Sequence, residues 1–344
     1  MKFSNNYLFY PDSSELVKAI DHYKSLLDNQ GAVDDAPDTS VAIQDNFLHT
    51  RGNFEQRRYS ANILENARET LESILTKTSR EEKALDWATL QNSLGNILAA
   101  LGQQMSDAQL YEKAIDSFNN ALEIFSQEET PLDWATTQYN LGTATQALGR
   151  QQNSSKILKS SVDAYTNALL EWSREQVPEE WASTMHQLGA TFHTHGALLK
   201  GNRTLQKSVV SYKNALAELD ADNYPLELAA THNNRGAVLH HLGESEDNAG
   251  RLEEAISSYD TALTVCMEQQ LPFHLAVLCR VNKSTARVVL AELTNDSAIA
   301  EEAADDFEVI IEGFPGSLQP LCLKHCEEQL AKAQSMVETN SGKV

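Results

Sequence analysis

The sequence predicts an all-α protein, an α-solenoid of stacked antiparallel helix pairs, about six of them with a half-repeat at each end. Three observations predict it. Trp87, Trp134 and Trp181 stand 47 residues apart, and Leu228 and Leu275 take the next two steps. The same interval joins Gly95, Gly142, Gly189 and Gly236, then Gly102, Gly149, Gly196 and Gly243, then Ala121, Ala168, Ala215 and Ala262. Self-similarity at one period of this length is what a supersecondary element stacked in a line produces. Composition agrees: of 344 residues 41% are hydrophobic, with only 15 Gly and 8 Pro, which suits a folded helical chain.

Along the chain, KAIDHYKSLL between Ser14 and Asp28 resembles KAIDSFNNAL at Lys113–Leu122, a second helix met without its first. Residues 1–38 are therefore read as an N-terminal half-repeat, 39–312 as six helix pairs, and 313–344 as a closing helix and frayed tail. In the clearest repeat, Thr130, Pro131 and Asp133 have the order of an N-cap, a first-turn proline and an acidic third position, and Gly149 suits a left-handed C-terminal residue. The second helix, ILKSSVDAYTNALLEW, sets Leu158, Val162, Tyr165, Leu169 and Trp172 on one stripe, which must be buried. The last repeat slips by one: Pro272 to Pro320 is 48 residues, with Asp306 in the aromatic column and Phe307 after it. The closing helix carries Cys322, Cys326, Leu330, Ala333 and Val337 on one face.

Charge narrows the function. A formal net charge of −22 disfavours nucleic acid and anionic membrane, whose phosphates need Lys and Arg. A protein or peptide partner is favoured, a basic one above all, and self-association is left open. The four cysteines lie late in the chain without the density of a disulfide scaffold, and are read as reduced apolar residues. No stretch has the length of a membrane span or the pattern of a signal peptide, which implies the cytoplasm.

The LG of a first helix, as in NLG at Asn140–Gly142, followed by AI, an aromatic and AL in a second, as in AIDSFNNAL at Ala114–Leu122, and then Pro, resembles the tetratricopeptide-repeat family. The likeness covers about Ser14 to Glu312. The family's common repeat is shorter; the extra length here sits between the helices and before the Pro, as in the longer variants of many bacterial repeat proteins and kinesin light chains. The resemblance implies a right-handed solenoid whose first helices line a concave groove.

On a helical wheel Trp134, Leu141 and Leu148 share one sector, and Thr136, Tyr139, Thr143 and Gln146 the opposite one, which is read as not needed for the core. Stepping by 47 gives one ladder of Asn92, Tyr139, His186, Asn233 and Arg280 and another of Gln146, His193, His240 and Arg287. With Asn96, these are the candidate partner-binding residues of the groove. The family's carboxylate clamp is not carried over, because no Lys stands on these ladders. His186, His193, His195, His232, His240 and His241 crowd two repeats, but without HExxH or a convergent carboxylate no metal is expected. The acidic run from Glu292 to Glu312 reads as a solvated face, the alternative being a dock for a basic segment. No phosphate loop or nucleophile elbow occurs, so no catalytic residue and no cofactor is assigned. The expected function is a protein-interaction scaffold or regulatory adaptor. The alternative is a ligand-sensing or catalytic solenoid using the groove's His, Tyr and Arg.

Overall fold

The computed structural model describes residues 54–313, 318 and 320–341; the half-repeat expected over residues 1–38 lies outside them. Among the described residues there are helices and no strand: α1 (Phe54–Lys77), α2 (Ala84–Met105), α3 (Ala108–Leu122), α4 (Pro131–Gln151), α5 (Ser155–Ala168), α6 (Pro178–Leu199), α7 (Asn202–Leu216), α8 (Pro225–Ser245), α9 (Ala249–Glu268), α10 (Phe273–Thr294), α11 (Ser297–Gly313) and α12 (Pro320–Ser341). They fall into two compact units, one within residues 54–199 and the other within 200–341. In the first, each of α1 to α6 packs on the next, and α4 also touches α2 and α6. In the second, α7 to α12 follow the same rule, with α10 also touching α8 and α12. None of the described helices is long and apolar enough to cross a membrane.

The glycine and aromatic columns explain the pairing. Phe118, Tyr165, Tyr212, Tyr259 and Phe307 are fully buried. A Cβ on Gly95 would stand 2.5 Å from the Phe118 ring, one on Gly142 2.7 Å from Tyr165, and one on Gly236 2.7 Å from Tyr259. Each ring thus packs against the first helix at a residue that has no side chain. The second glycine column works the same way, since a Cβ at Gly149 would meet Leu158 at 2.9 Å and one at Gly243 would meet Leu252 at 2.7 Å.

That finding corrects the reading of Gly149 as a left-handed helix end. α4 continues to Gln151, and the left-handed residue is Asn153, at φ 50°, with Ser106 at 55° and Asp247 at 48° in the same register. The following residue then caps the second helix: Asp107 accepts from the Gln109 N–H at 2.8 Å, Ser154 from Ile157 at 3.4 Å and Asn248 from Arg251 at 3.2 Å. Thr130 stands at the N-cap position of α4 with Pro131 following, but its hydroxyl makes no cap bond and instead accepts from the Ser126 N–H at 3.1 Å.

At the end of the second unit the one-residue slip keeps an aromatic in place, because Phe307 and not Asp306 enters the core. Asp306 ion-pairs with Arg287 at 2.8 Å. Cys326 and Ala333 of α12 are fully buried against Val281, Val288 and Phe307, with Cys322 and Leu330 half-buried beside them. The four cysteines are free thiols.

Candidate functional site

A first helix inside such a stack is enclosed on three sides: by the second helices, its own and the preceding one, by the preceding first helix and by the following one. α4 meets α5 and α3, α2, and α6 in this way. The consequences for the candidate residues differ from one position to the next.

In the first unit, Tyr139 is 4% exposed. Its ring lies 5.5 Å from that of Tyr165 and 5.4 Å from Trp172, and its hydroxyl is 2.9 Å from Ser183 Oγ. Gln146 is 5% exposed and donates from Nε2 to the Gln187 carbonyl at 3.0 Å and to Thr191 Oγ1 at 2.6 Å, tying α4 to α6. His193 is fully buried. Asn92, Asn96 and His186 are half-buried, and Asn92 Oδ1 accepts from Asn140 Nδ2 at 3.1 Å, tying α2 to α4.

In the second unit, Asn233 is fully buried, accepts from Asn282 Nδ2 at 2.9 Å and donates to Asn234 Oδ1 at 3.2 Å. His240 is fully buried with Nε2 3.8 Å from Glu244 Oε1. Arg280 is half-buried. Arg287 is held between α10 and α11 by Asp306 and by Glu302 at 3.1 Å.

The expectation that Tyr139 and Gln146 sit on an open face, unneeded by the core, is therefore corrected. So is the exposure assumed for His193, Asn233 and His240. The polar groups of Tyr139, Gln146 and Asn233 face the neighbouring first helix, where buried donors and acceptors must find partners. Gln146→Ala should accordingly cost about 1–2 kcal/mol, because it removes two buried bonds while leaving Thr191 its own bond to Gln187 O at 2.9 Å. Urea unfolding checks this, and no change in the midpoint would contradict it.

What the first helices of this unit leave open is a narrower stripe. Thr89 and Thr136 are exposed, and Asn92, Asn96, Ser183 and His186 half-buried, on α2, α4 and α6 in the 47-residue register. Sequence reasoning captured Asn92, Asn96 and His186 of these and placed Thr136 on the open side of its helix; it missed Thr89 and Ser183, which carry no chemical signal beyond their register.

The joints between pairs form a second feature. Arg80 pairs with Glu123, and Gln127 donates to Glu171 at 2.7 Å, so the segments before α2, α4 and α6 lie side by side. Arg80 lies 4.9 Å above the Trp87 ring and Arg174 5.6 Å above Trp181. At the other end of the same helices Gln151 Nε2 donates to the Ser106 carbonyl at 2.6 Å, and Ser155 Oγ is 2.9 Å from His195 Nε2.

Burial favours the neutral form of five histidines. Burial pushes His240 down to about 3, with His241 and His325 adding to the effect, and pushes His232 down to about 4, helped by Arg235. His195, His241 and His325 are lowered mainly by burial too. Among the described residues no group of three or more His, Cys, Asp or Glu is placed to hold a metal ion.

No family model and no curated protein matches this chain.

Proposed function

We propose that each unit is a stretch of right-handed solenoid of the tetratricopeptide type, and that the chain is a cytoplasmic protein-interaction scaffold or regulatory adaptor. The observation that carries this reading is the repeated seat of a buried aromatic on a bare glycine, Phe118 on Gly95, Tyr165 on Gly142 and Tyr259 on Gly236. It makes a line of similar helices with nothing catalytic assigned to it. Stacks of this kind offer extended surfaces assembled from successive repeats, and the strongly acidic charge favours a basic protein or peptide.

The half-buried stripe of Asn96 and His186 is where a partner's polar groups would be met. The test is capture of partners from a native extract on the purified chain, followed by calorimetry with the one recovered. Asn96→Ala combined with His186→Ala should weaken that partner at least about tenfold, as loss of two interface hydrogen bonds does. The melting temperature should stay unchanged. Wild-type affinity in the double variant would sink the stripe as the binding surface. A small molecule found in stoichiometric amount by mass spectrometry would favour the ligand-sensing alternative.

A further inference from the structure

The joints of the first unit form an edge with an unusual combination of groups. Residues 80–86, 123–133 and 171–180 hold eleven carboxylates against Arg80, Lys83 and Arg174. All of these carboxylates but Glu171 are exposed. The arginines are engaged within the edge itself, Arg80 by Glu123 and the Trp87 face and Arg174 by the Trp181 face. With Lys83 they offset three of the eleven carboxylates, which leaves the edge a net charge of −8 (3 − 11) and a negative field in the solvent beside it.

Leucines protrude from that field. Leu85 is 55% exposed and Leu132 63% exposed, and each is the second residue of its helix, α2 or α4. They occupy equivalent places one repeat apart. Leu170, 60% exposed, stands at the next joint beside Glu171, whose carboxylate is bonded to Gln127. Neither leucine of the matched pair contributes to a core, although both follow directly on helix starts where a polar residue would serve the fold as well.

We propose that this edge docks a basic amphipathic helix of a partner protein. The spacing selects the form of the ligand. Packed helices stand about 8–10 Å apart, so Leu85 and Leu132 repeat at about that distance, and a helix rising about 1.5 Å per residue returns a side chain to the same face after about 10.5 Å, seven residues on. A partner with an apolar residue at every seventh position touches both leucines, and its flanking Lys or Arg face the carboxylates on either side. The apolar contacts fix register and the charges speed encounter. Leu85 stands one turn before Thr89 on the same face of α2, so this surface continues the Asn96 and His186 stripe at its N-terminal end, with Asn96 about 16 Å farther along the helix at about 1.5 Å per residue. It rests on the chain having protein partners, and it adds where one of them sits and what its chemistry is.

The test uses the full chain and a synthetic helical peptide with Leu at every seventh position and Lys beside each, read by fluorescence anisotropy against a scrambled peptide of identical composition. The designed peptide should bind at least about tenfold tighter than the scrambled one. Leu85→Ser with Leu132→Ser should remove that advantage, and Glu128→Lys with Glu129→Lys should weaken both peptides, all without change in melting temperature. Asn96→Ala with His186→Ala should leave peptide binding intact. Equal binding of the two peptides, or wild-type binding by the leucine double variant, overturns the proposal. Loss of the peptide in the Asn96 and His186 variant also overturns it, while supporting the stripe.

Discussion

Tyr165→Ala is expected to lower the unfolding free energy by about 3–5 kcal/mol, the range for removing a large buried aromatic. The ring is fully buried, meets Tyr139 edge-on at 5.5 Å, and its hydroxyl is 3.0 Å from Thr143 Oγ1. It also fills the space over Gly142, so truncation opens a void between α4 and α5 that a close-packed stack closes only in part. Gly142→Ala tests the same seat from the other side. Its methyl would stand 2.7 Å from the ring, and overpacking of this kind costs about 1–3 kcal/mol. Because the two positions touch, Gly142→Ala combined with Tyr165→Leu should cost less than the two single changes added together. Urea unfolding followed by far-ultraviolet circular dichroism measures all of these, with exposed Thr136→Ala as the control at about 0.5 kcal/mol or less. A Tyr165→Ala midpoint no lower than that control would show the helix pairing to be wrong.

Acid should destabilise the two units unequally. His240 titrates at about 3 when folded, beside His241, His325 and Glu244, and at about 6.5 when unfolded. A base held below its unfolded value binds fewer protons when folded, so its contribution is present above pH 6.5 and is lost as pH falls toward the folded value. From pH 6.5 to pH 5 His240 alone removes about 2 kcal/mol. His232, held down to about 4, acts in the same direction.

Both residues lie in the unit of residues 200–341, whereas Trp87, Trp134, Trp172 and Trp181, all four tryptophans of the chain, lie in the other. The urea midpoint read by circular dichroism should therefore fall between pH 7 and pH 5 more than the midpoint read by tryptophan fluorescence. His240→Gln should flatten the dichroism response. Equal shifts in the two signals would show that the buried histidines do not govern it.

The sequence disclosed the fold through residues that have only one structural use. A glycine and an aromatic recurring in step imply a ring seated on bare backbone, and Gly142 with Tyr165 is that seat. It disclosed the surface poorly, because polar character was taken to mean exposure. That inference holds for a helix with one buried face and fails for α4, which is enclosed on three sides. Gln146 and Asn233 are buried as bonded spacers between first helices, and no wheel drawn on one helix contains the neighbour that supplies their partners. Asn92, Asn96 and His186 keep partial exposure because they lie nearer the one side left uncovered. The left-handed turn was misplaced for a related reason. Gly149 looked like a terminus but is needed for Leu158, and Asn153 makes the turn.

The nearest-neighbour pattern of helix contacts also fixes the order in which the chain can be assembled as it is made. The farthest-reaching hydrogen bond described above, from Asn282 to Asn233, spans 49 residues, and the joints of the first unit close loops of 43 to 45. At about 5–20 residues per second a ribosome needs about 2–9 s to add one 47-residue repeat. Helix formation and closure of short loops take microseconds or less. Each pair therefore has time to dock on its predecessor before the next emerges, and the apolar face left waiting at any moment is that of a single helix pair. Synthesis from one end thus builds each unit in the order of its contacts, and among the described residues no strand waits for a distant partner.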